Sequence, residues 1–204
     1  MTSPGPASPV ATAEAEARRG RPRSEEVDQA ILDAALDLLV TNGYQGMTME
    51  GIAQRAGIGK ATLYRRFADK AEVVVEAVRT HGCDQVPMID SGDIRADLLA
   101  FLDGMARSLA GVDGPIMAAV ATEKVRHPEL QREFERVFVT DRRRFLRHMI
   151  AAAVERGDLP ASTDVELLAL IGPAVLWQQL TMEASPKQLL KLPERIVAQF
   201  LPPA

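Results

Sequence analysis

The chain of 204 residues contains one cysteine, Cys83. A lone thiol leaves no partner for an intramolecular disulfide and no cysteine-based zinc cluster, which fits a reducing cytoplasm. In a boundary turn such a residue reads as a bystander rather than a thiol switch. Aromatic residues are scarce, at 4%, and no stretch alternates apolar and polar residues for more than a few positions, so a sheet has little to be built from. Nowhere do about 18 apolar residues follow one another, and the Pro-, Ala- and Ser-rich start lacks the apolar centre of a signal peptide. A membrane span and a recognisable export route are thereby excluded, and a cytoplasmic location is expected. Excess positive charge is missing too: the formal net charge is −4, which argues against nucleic acid coating the whole surface but leaves room for a local basic face. A GxSxG elbow, a phosphate-binding glycine loop, HExxH and a paired cysteine motif are all absent, so neither an enzyme nor a cofactor is expected. His81, His127 and His148 are too far apart in sequence to make a local metal site.

What the chain does have is 47% hydrophobic residues, enough for one large core or two small ones. They recur at helical spacing almost throughout, which predicts an all-α protein of roughly nine helices. Residues 1–17 have almost no large apolar side chain and are expected to be disordered. They merge into a basic run, Arg18, Arg19, Arg21 and Arg23, so that residues 1–23 read either as an arm that follows the DNA backbone or minor groove, or as an untethered tail. Ser24 is the expected cap of a first helix ending at Asn42 and Gly43. A second helix starts at the cap Thr48 and stops at Gly57. A third runs from near Gly59 to Phe67, and Asp69 with Glu72 forms a capping box for a fourth. Residues 24–81 thus make a first domain, the turn-rich stretch 82–92 a boundary, and residues 93–204 a second domain. There Pro115 and Pro128 open helices, Thr163 with Glu166 and Ser185 with Gln188 read as capping boxes, and Pro193 interrupts the last helix.

Residues 47–70, MTMEGIAQRAGIGKATLYRRFADK, carry the function. A helix-turn-helix requires a small residue at the helix crossing, a turn residue tolerant of positive φ, and apolar residues that lock the second helix down. Ala53, Gly57, Ile58, Leu63 and Phe67 meet those needs. The same second helix presents Lys60, Thr62, Tyr64, Arg65 and Arg66. Hydroxyls and cations reach phosphates, whereas base edges require side chains that enter the major groove. Thr48, Thr62, Tyr64 and Lys70 are therefore assigned to phosphates, and Lys60, Ala61 and Arg65 to bases. By pattern alone, an αα-hairpin with a solvated basic face remains an alternative.

GIGKATLYRRFADK resembles the signature of the TetR family of bacterial regulators, with a match from about Glu25 to Thr80. The resemblance implies a homodimer whose recognition helices enter successive major grooves of a near-palindromic double-stranded DNA operator. It also implies a C-terminal domain of about six helices that binds a small molecule, the usual outcome being a repressor released by its ligand. Two positions depart from the pattern: Gly59 stands where Ser is common, and Gly51 where a longer polar residue is usual.

HPELQREF and ERGDLPASTDVELLALIGPAVLWQQL resemble the C-terminal half of one large TetR-type subgroup. The family pairs its last two long helices across the dimer, which implies an interface on residues 164–183 and 187–201, with Leu168, Gly172, Val175, Leu176, Gln179 and Met182 as contacts. Pro173 bends its helix either to fit the core or to serve that interface. Phe134, Phe138, Asp141, Phe145 and Met149 fall on one face of a single long α-helix. Such a stripe is either plain core or, with Phe101, Met105 and Trp177, the lining of a largely apolar effector cavity. Asp141 favours the cavity, because a carboxylate on an apolar face needs a partner or solvent. Arg142, Arg143, Arg144 and Arg147 read as a solvated face with partners among Glu133, Glu135 and Asp141. A competing function is a helix-turn-helix protein controlled by a protein partner, or acting architecturally, with its second domain filled solid.

Overall fold

The computed structural model describes residues 9–83, 86–111 and 114–201, and among these the side chains from Ser24 onward except at 82 and 83. Every element among them is helical. In chain order they are α1 (Pro9–Gly46), α2 (Met49–Arg55), α3 (Lys60–Tyr64), α4 (Lys70–Val78) with a π-helical turn Arg79–Cys83, α5 (Ile94–Ala110) and α6 (Gly114–Glu123). Next come α7 (Pro128–Phe134), a second π-helical turn Glu135–Val139, α8 (Thr140–Arg156), α9 (Val165–Thr181), α10 (Pro186–Leu189) and α11 (Leu192–Phe200). Counting each π turn with its neighbours, and α10 with α11, this is the all-α protein of nine helices that the periodicity predicts.

Two compact units divide the chain, Met1–Val73 and Val74–Ala204. By contacts the division falls inside α4, which runs on as far as Val78. α1 differs from expectation at its start. It is helical from Pro9, so Ser24 lies within the helix and does not cap it, and residues 9–17 are helical rather than disordered. The backbone of Arg18, Arg19, Arg21 and Arg23 belongs to this N-terminal stretch of α1, and their side chains lie outside the described residues. At the other end Gly43 leaves helical geometry with the positive φ expected there, 68°, but with ψ at 166° it is extended rather than left-handed helical.

In the first unit α1 packs on α2, and α2 on α3. Ile31, Ala35, Tyr44, Ile52, Leu63 and Val73 are all sealed from solvent. Thr48 caps α2 by accepting the Gly51 amide at 3.0 Å. Gly57 holds φ 68° in the turn. Half of the expected Asp69–Glu72 box forms: Asp69 accepts the Glu72 amide at 3.0 Å, but the Glu72 carboxylate accepts the amide of Ala68, one residue before the cap, at 2.6 Å. α3 ends at Tyr64, and Phe67 lies in the turn beyond it, still buried.

In the second unit α5 runs against α9, α8 and α11, and Phe101, Leu102, Phe134, Leu146, Met149 and Leu176 fill the centre. Asp93 caps α5 by accepting the amides of Arg95 and Ala96. Asp164, rather than Thr163, caps α9 by accepting the Leu167 amide at 3.0 Å. Its carboxylate is the stronger acceptor for an orphan amide, and Glu166 is instead drawn to Arg143 and Arg147. Ser185 and Gln188 meet as expected, the Ser185 amide donating to Gln188 Oε1 at 2.8 Å. Pro193 starts α11 in its first turn, where its missing N–H costs nothing.

Candidate nucleic-acid interface and ligand cavity

The helix-turn-helix buries Ile52 and Ala53 of α2 and Leu63 of α3, and turns the opposite side of α3 outward. Lys60, Ala61, Tyr64 and Arg65 are exposed, and so is Thr48 at the start of α2. Arg65 makes no ion pair or side-chain hydrogen bond among the described residues. Thr48 uses an oxygen lone pair for its cap and keeps its hydroxyl proton. Lys60 pairs with Glu50 at 3.2 Å across the two helices. A hydrogen bond from the Glu50 backbone, and after it the Lys60 ammonium, hold the Glu50 carboxyl below its usual range.

Three of the expected DNA contacts sit deeper. Thr62 is half-buried. Arg66 points back into the unit, its Nε donating to Asp28 at 2.5 Å and its Nη2 to the Ser24 hydroxyl at 3.2 Å. The Lys70 ammonium donates to the carbonyls of Tyr44 and Met47, at 2.8 and 3.2 Å, and lies 4.3 Å from the Tyr44 ring centroid. Arg66 and Lys70 therefore tie α1 to the segment around α3. The spacing that placed them beside the contact residues did not reveal that acceptors on α1 and its end were within reach.

The second unit contains a cavity of about 210 Å³. Five of the eight expected lining residues are there: Phe101, Met105, Phe134, Phe138 and Trp177. Asp141, Phe145 and Met149 are not. Asp141 is exposed and pairs with Arg144 at 2.9 Å, Phe145 stacks on the outer side of Phe101 at 6.2 Å, and Met149 is buried in the core. The cause is the π turn Glu135–Val139, in which the Thr140 amide and hydroxyl both reach back to the Glu135 carbonyl. One additional residue in a turn rotates the rest of the helix by about 100°. The lining stripe therefore continues through Arg142 and Leu146 rather than Asp141 and Phe145.

The remaining wall is Val139, Arg143, Ala169, Leu170, Pro173, Ala174 and, from the turn just after α6, Lys124. Phe134 meets Trp177 edge to face at 5.4 Å, and the Lys124 ammonium lies 4.3 Å from the Phe134 centroid and 5.3 Å from that of Trp177. Burial pushes the Lys124 amine below its usual range, against the opposing charge of Glu135. Sequence reasoning missed Lys124; its only signal is a cation closing the apolar run of α6. The four arginines are not one solvated face: Arg144 is, with Asp141; Arg143 and Arg147 reach Glu166 on α9, and Arg142 lies 5.5 Å over the Phe138 ring at the cavity.

The expected dimer residues also divide. Met182 is 68% exposed, while Leu168, Val175 and Gln179 are half-buried. Leu176 is sealed in its own core, and Gly172 faces Leu102 of α5 in the same chain. The outward side of α9 carries Leu167 and Leu170 instead, 53% and 41% exposed. Among the described residues no helix is long and apolar enough to cross a membrane.

Comparison with known proteins agrees with this geometry. Residues 31–77 match the family model of the bacterial regulatory proteins of the tetR family, and residues 88–198 that of the tetracyclin repressor-like C-terminal domain. The HTH-type transcriptional regulator YdeS of Bacillus subtilis (strain 168) is 30% identical over 152 residues, 74% of this chain and 77% of its own. A DNA-binding transcriptional repressor TetR of Mycobacteroides abscessus is 30% identical over 164 residues, covering 78% and 85%. The transcriptional regulator FadR of Bacillus subtilis, solved in complex with stearoyl-CoA, superposes with a TM-score of 0.67 over 85% of this chain and 97% of its own, at 18% identity. A helix-turn-helix with an outward basic face, followed by this C-terminal domain, makes the chain a member of the TetR family of bacterial transcriptional regulators.

Proposed function

We propose that the protein is a homodimeric repressor that holds a palindromic operator through α3 and lets go when a small molecule enters the cavity of its second unit. The observation that carries this reading is the exposed set Lys60, Ala61, Tyr64 and Arg65 on the second helix of the helix-turn-helix, with Arg65 free to engage a base edge. Thr48, Thr62 and Tyr64 serve as phosphate contacts. Arg66 and Lys70, engaged within the unit, orient α3 rather than touch DNA. Arg18, Arg19, Arg21 and Arg23 add a basic extension that contributes to the salt dependence of binding.

Dimerisation uses the outward side of α9 and the last helices. Leu167, Leu170, Met182, Leu190 and Phe200 are large apolar residues left between 41% and 68% exposed, an arrangement that marks an interaction surface. Leu168, Val175 and Gln179 lie at its edge. Ligand favours a dimer state in which the two DNA-reading units no longer match the operator spacing. α4 supports such coupling, because one helix carries both the last residues of the first unit and the first of the second. A hundredfold switch requires the ligand to prefer the released state by roughly 3 kcal/mol.

Selection of genomic fragments by the purified full-length protein, with sequencing of those retained, tests the reading. One palindromic motif near a few promoters is the expected result. Retention without a motif and with a steep salt dependence points to an architectural protein, and no retention removes the assignment of α3.

A further inference from the structure

The cavity of the second unit has walls of one kind and charges of one sign. Phe101, Met105, Phe134, Phe138, Leu146 and Trp177 make it apolar, and its only charged lining residues are Lys124, Arg142 and Arg143. Arg143 is directed to Glu166, 3.5 Å away. Lys124 differs. No carboxylate lies within ion-pair distance of its ammonium among the described residues, and it rests on the faces of Phe134 and Trp177. Aromatic faces compensate a half-buried cation only in part.

We propose that this cavity binds a small apolar carboxylate, with Lys124 as its charge partner; the inference rests on reading the cavity as the effector site. A neutral apolar ligand would bury Lys124 further with only the charge of Glu135, beyond ion-pair distance, to balance it, and a cationic ligand would face three like charges. A carboxylate supplies a countercharge in direct contact, which Glu135 does not, while its hydrocarbon part covers the aromatic wall. A polyanion suits the apolar wall poorly. At about 210 Å³ the cavity is smaller than the roughly 300–1,000 Å³ of drug-sized sites, so the ligand is compact rather than long-chained.

Trp177, the only tryptophan of the chain, is a built-in reporter. The test titrates the full-length protein with octanoate and 4-tert-butylbenzoate, and with 1-octanol, 4-tert-butylbenzyl alcohol and octylamine, by calorimetry and Trp177 fluorescence. Both acids are expected to bind and to perturb Trp177, the alcohols at least tenfold more weakly, and the amine not at all. Lys124→Met is expected to weaken the acids at least tenfold while leaving the alcohols unchanged, which also shows that the cavity is intact, and Lys124→Arg to retain most acid affinity. Acids and alcohols binding alike, an acid preference that survives Lys124→Met, or no binding by either acid would each overturn the inference. Operator retention is measured separately. If it persists while the acids fail, only the ligand class falls; if it fails while the acids bind, only the repressor reading does.

Discussion

Gly172 of α9 lies so close to Leu102 of α5 that a Cβ built on the glycine would fall 2.7 Å from Leu102 Cδ2. A small residue at this crossing lets the two helices approach, so Gly172 serves the core of its own chain and not a neighbour. Gly172→Ala adds helix propensity worth about 1 kcal/mol, while forcing a methyl against a fully buried leucine costs about 1–3 kcal/mol. The clash wins, and the melting temperature drops by a few degrees. In a Leu102→Ala background the same change becomes neutral or stabilising. Equal effects in both backgrounds, read by thermal melts, would contradict the contact.

Arg65 and Arg66 are neighbours with opposite duties. Arg65→Ala should leave the melting temperature within about 1 °C and weaken operator binding tenfold or more, since a specific base contact is worth about 1–3 kcal/mol. Arg66→Ala removes a half-exposed pair with Asp28 and costs about 1 kcal/mol of stability. The reverse pattern would exchange their roles.

Lys70→Met removes one donor each from the Tyr44 and Met47 carbonyls, so a drop in the melting temperature should accompany any loss of DNA affinity. DNA affinity lost at full stability would restore Lys70 as a phosphate contact.

Glu50 places a carboxylate beside Lys60 on the exposed side of the helix-turn-helix. Glu50→Gln removes a charge that repels phosphate and frees the ammonium. DNA affinity at low salt should rise severalfold, with a steeper salt slope. Unchanged affinity would mean that this edge does not approach DNA.

Lys124 costs the fold stability at neutral pH. Its amine is held below its usual range, so between the folded and unfolded values the folded chain binds fewer protons, and stability rises with pH there. Lys124→Met should therefore raise the melting temperature at pH 7 by about 1–3 °C, and the gain should shrink as the pH climbs toward 10.5, the ordinary lysine value. A gain independent of pH would assign the effect to packing.

The helix-turn-helix was legible because its constraints are local. Thr48 capping α2, the positive φ at Gly57, and Leu63 buried with Lys60 and Arg65 outside all depend on spacings of a few residues along one helix period. The cavity was half legible. Phe134 and Phe138 were placed correctly, but periodicity assumes an unbroken α-helix, and the π turn Glu135–Val139 shifted the register so that Arg142 took the place expected of Asp141. At the dimer face, spacing named one side of α9, yet Gly172 and Leu176 turned inward because α5 packs there.

Sequence alone determined the helical class, the caps at Thr48 and Ser185, the turn at Gly57 and the outward basic row of α3, since each depends on residues within a turn or two of one another. Tertiary structure decided what long side chains do at their far ends. Arg66 reaching Asp28, Lys70 reaching Tyr44, and Lys124 settling on Phe134 and Trp177 each join residues distant in sequence. Such partners become neighbours only when the helices pack, and a lysine or arginine then takes the nearest acceptor, carboxylate or aromatic face that packing brings within reach.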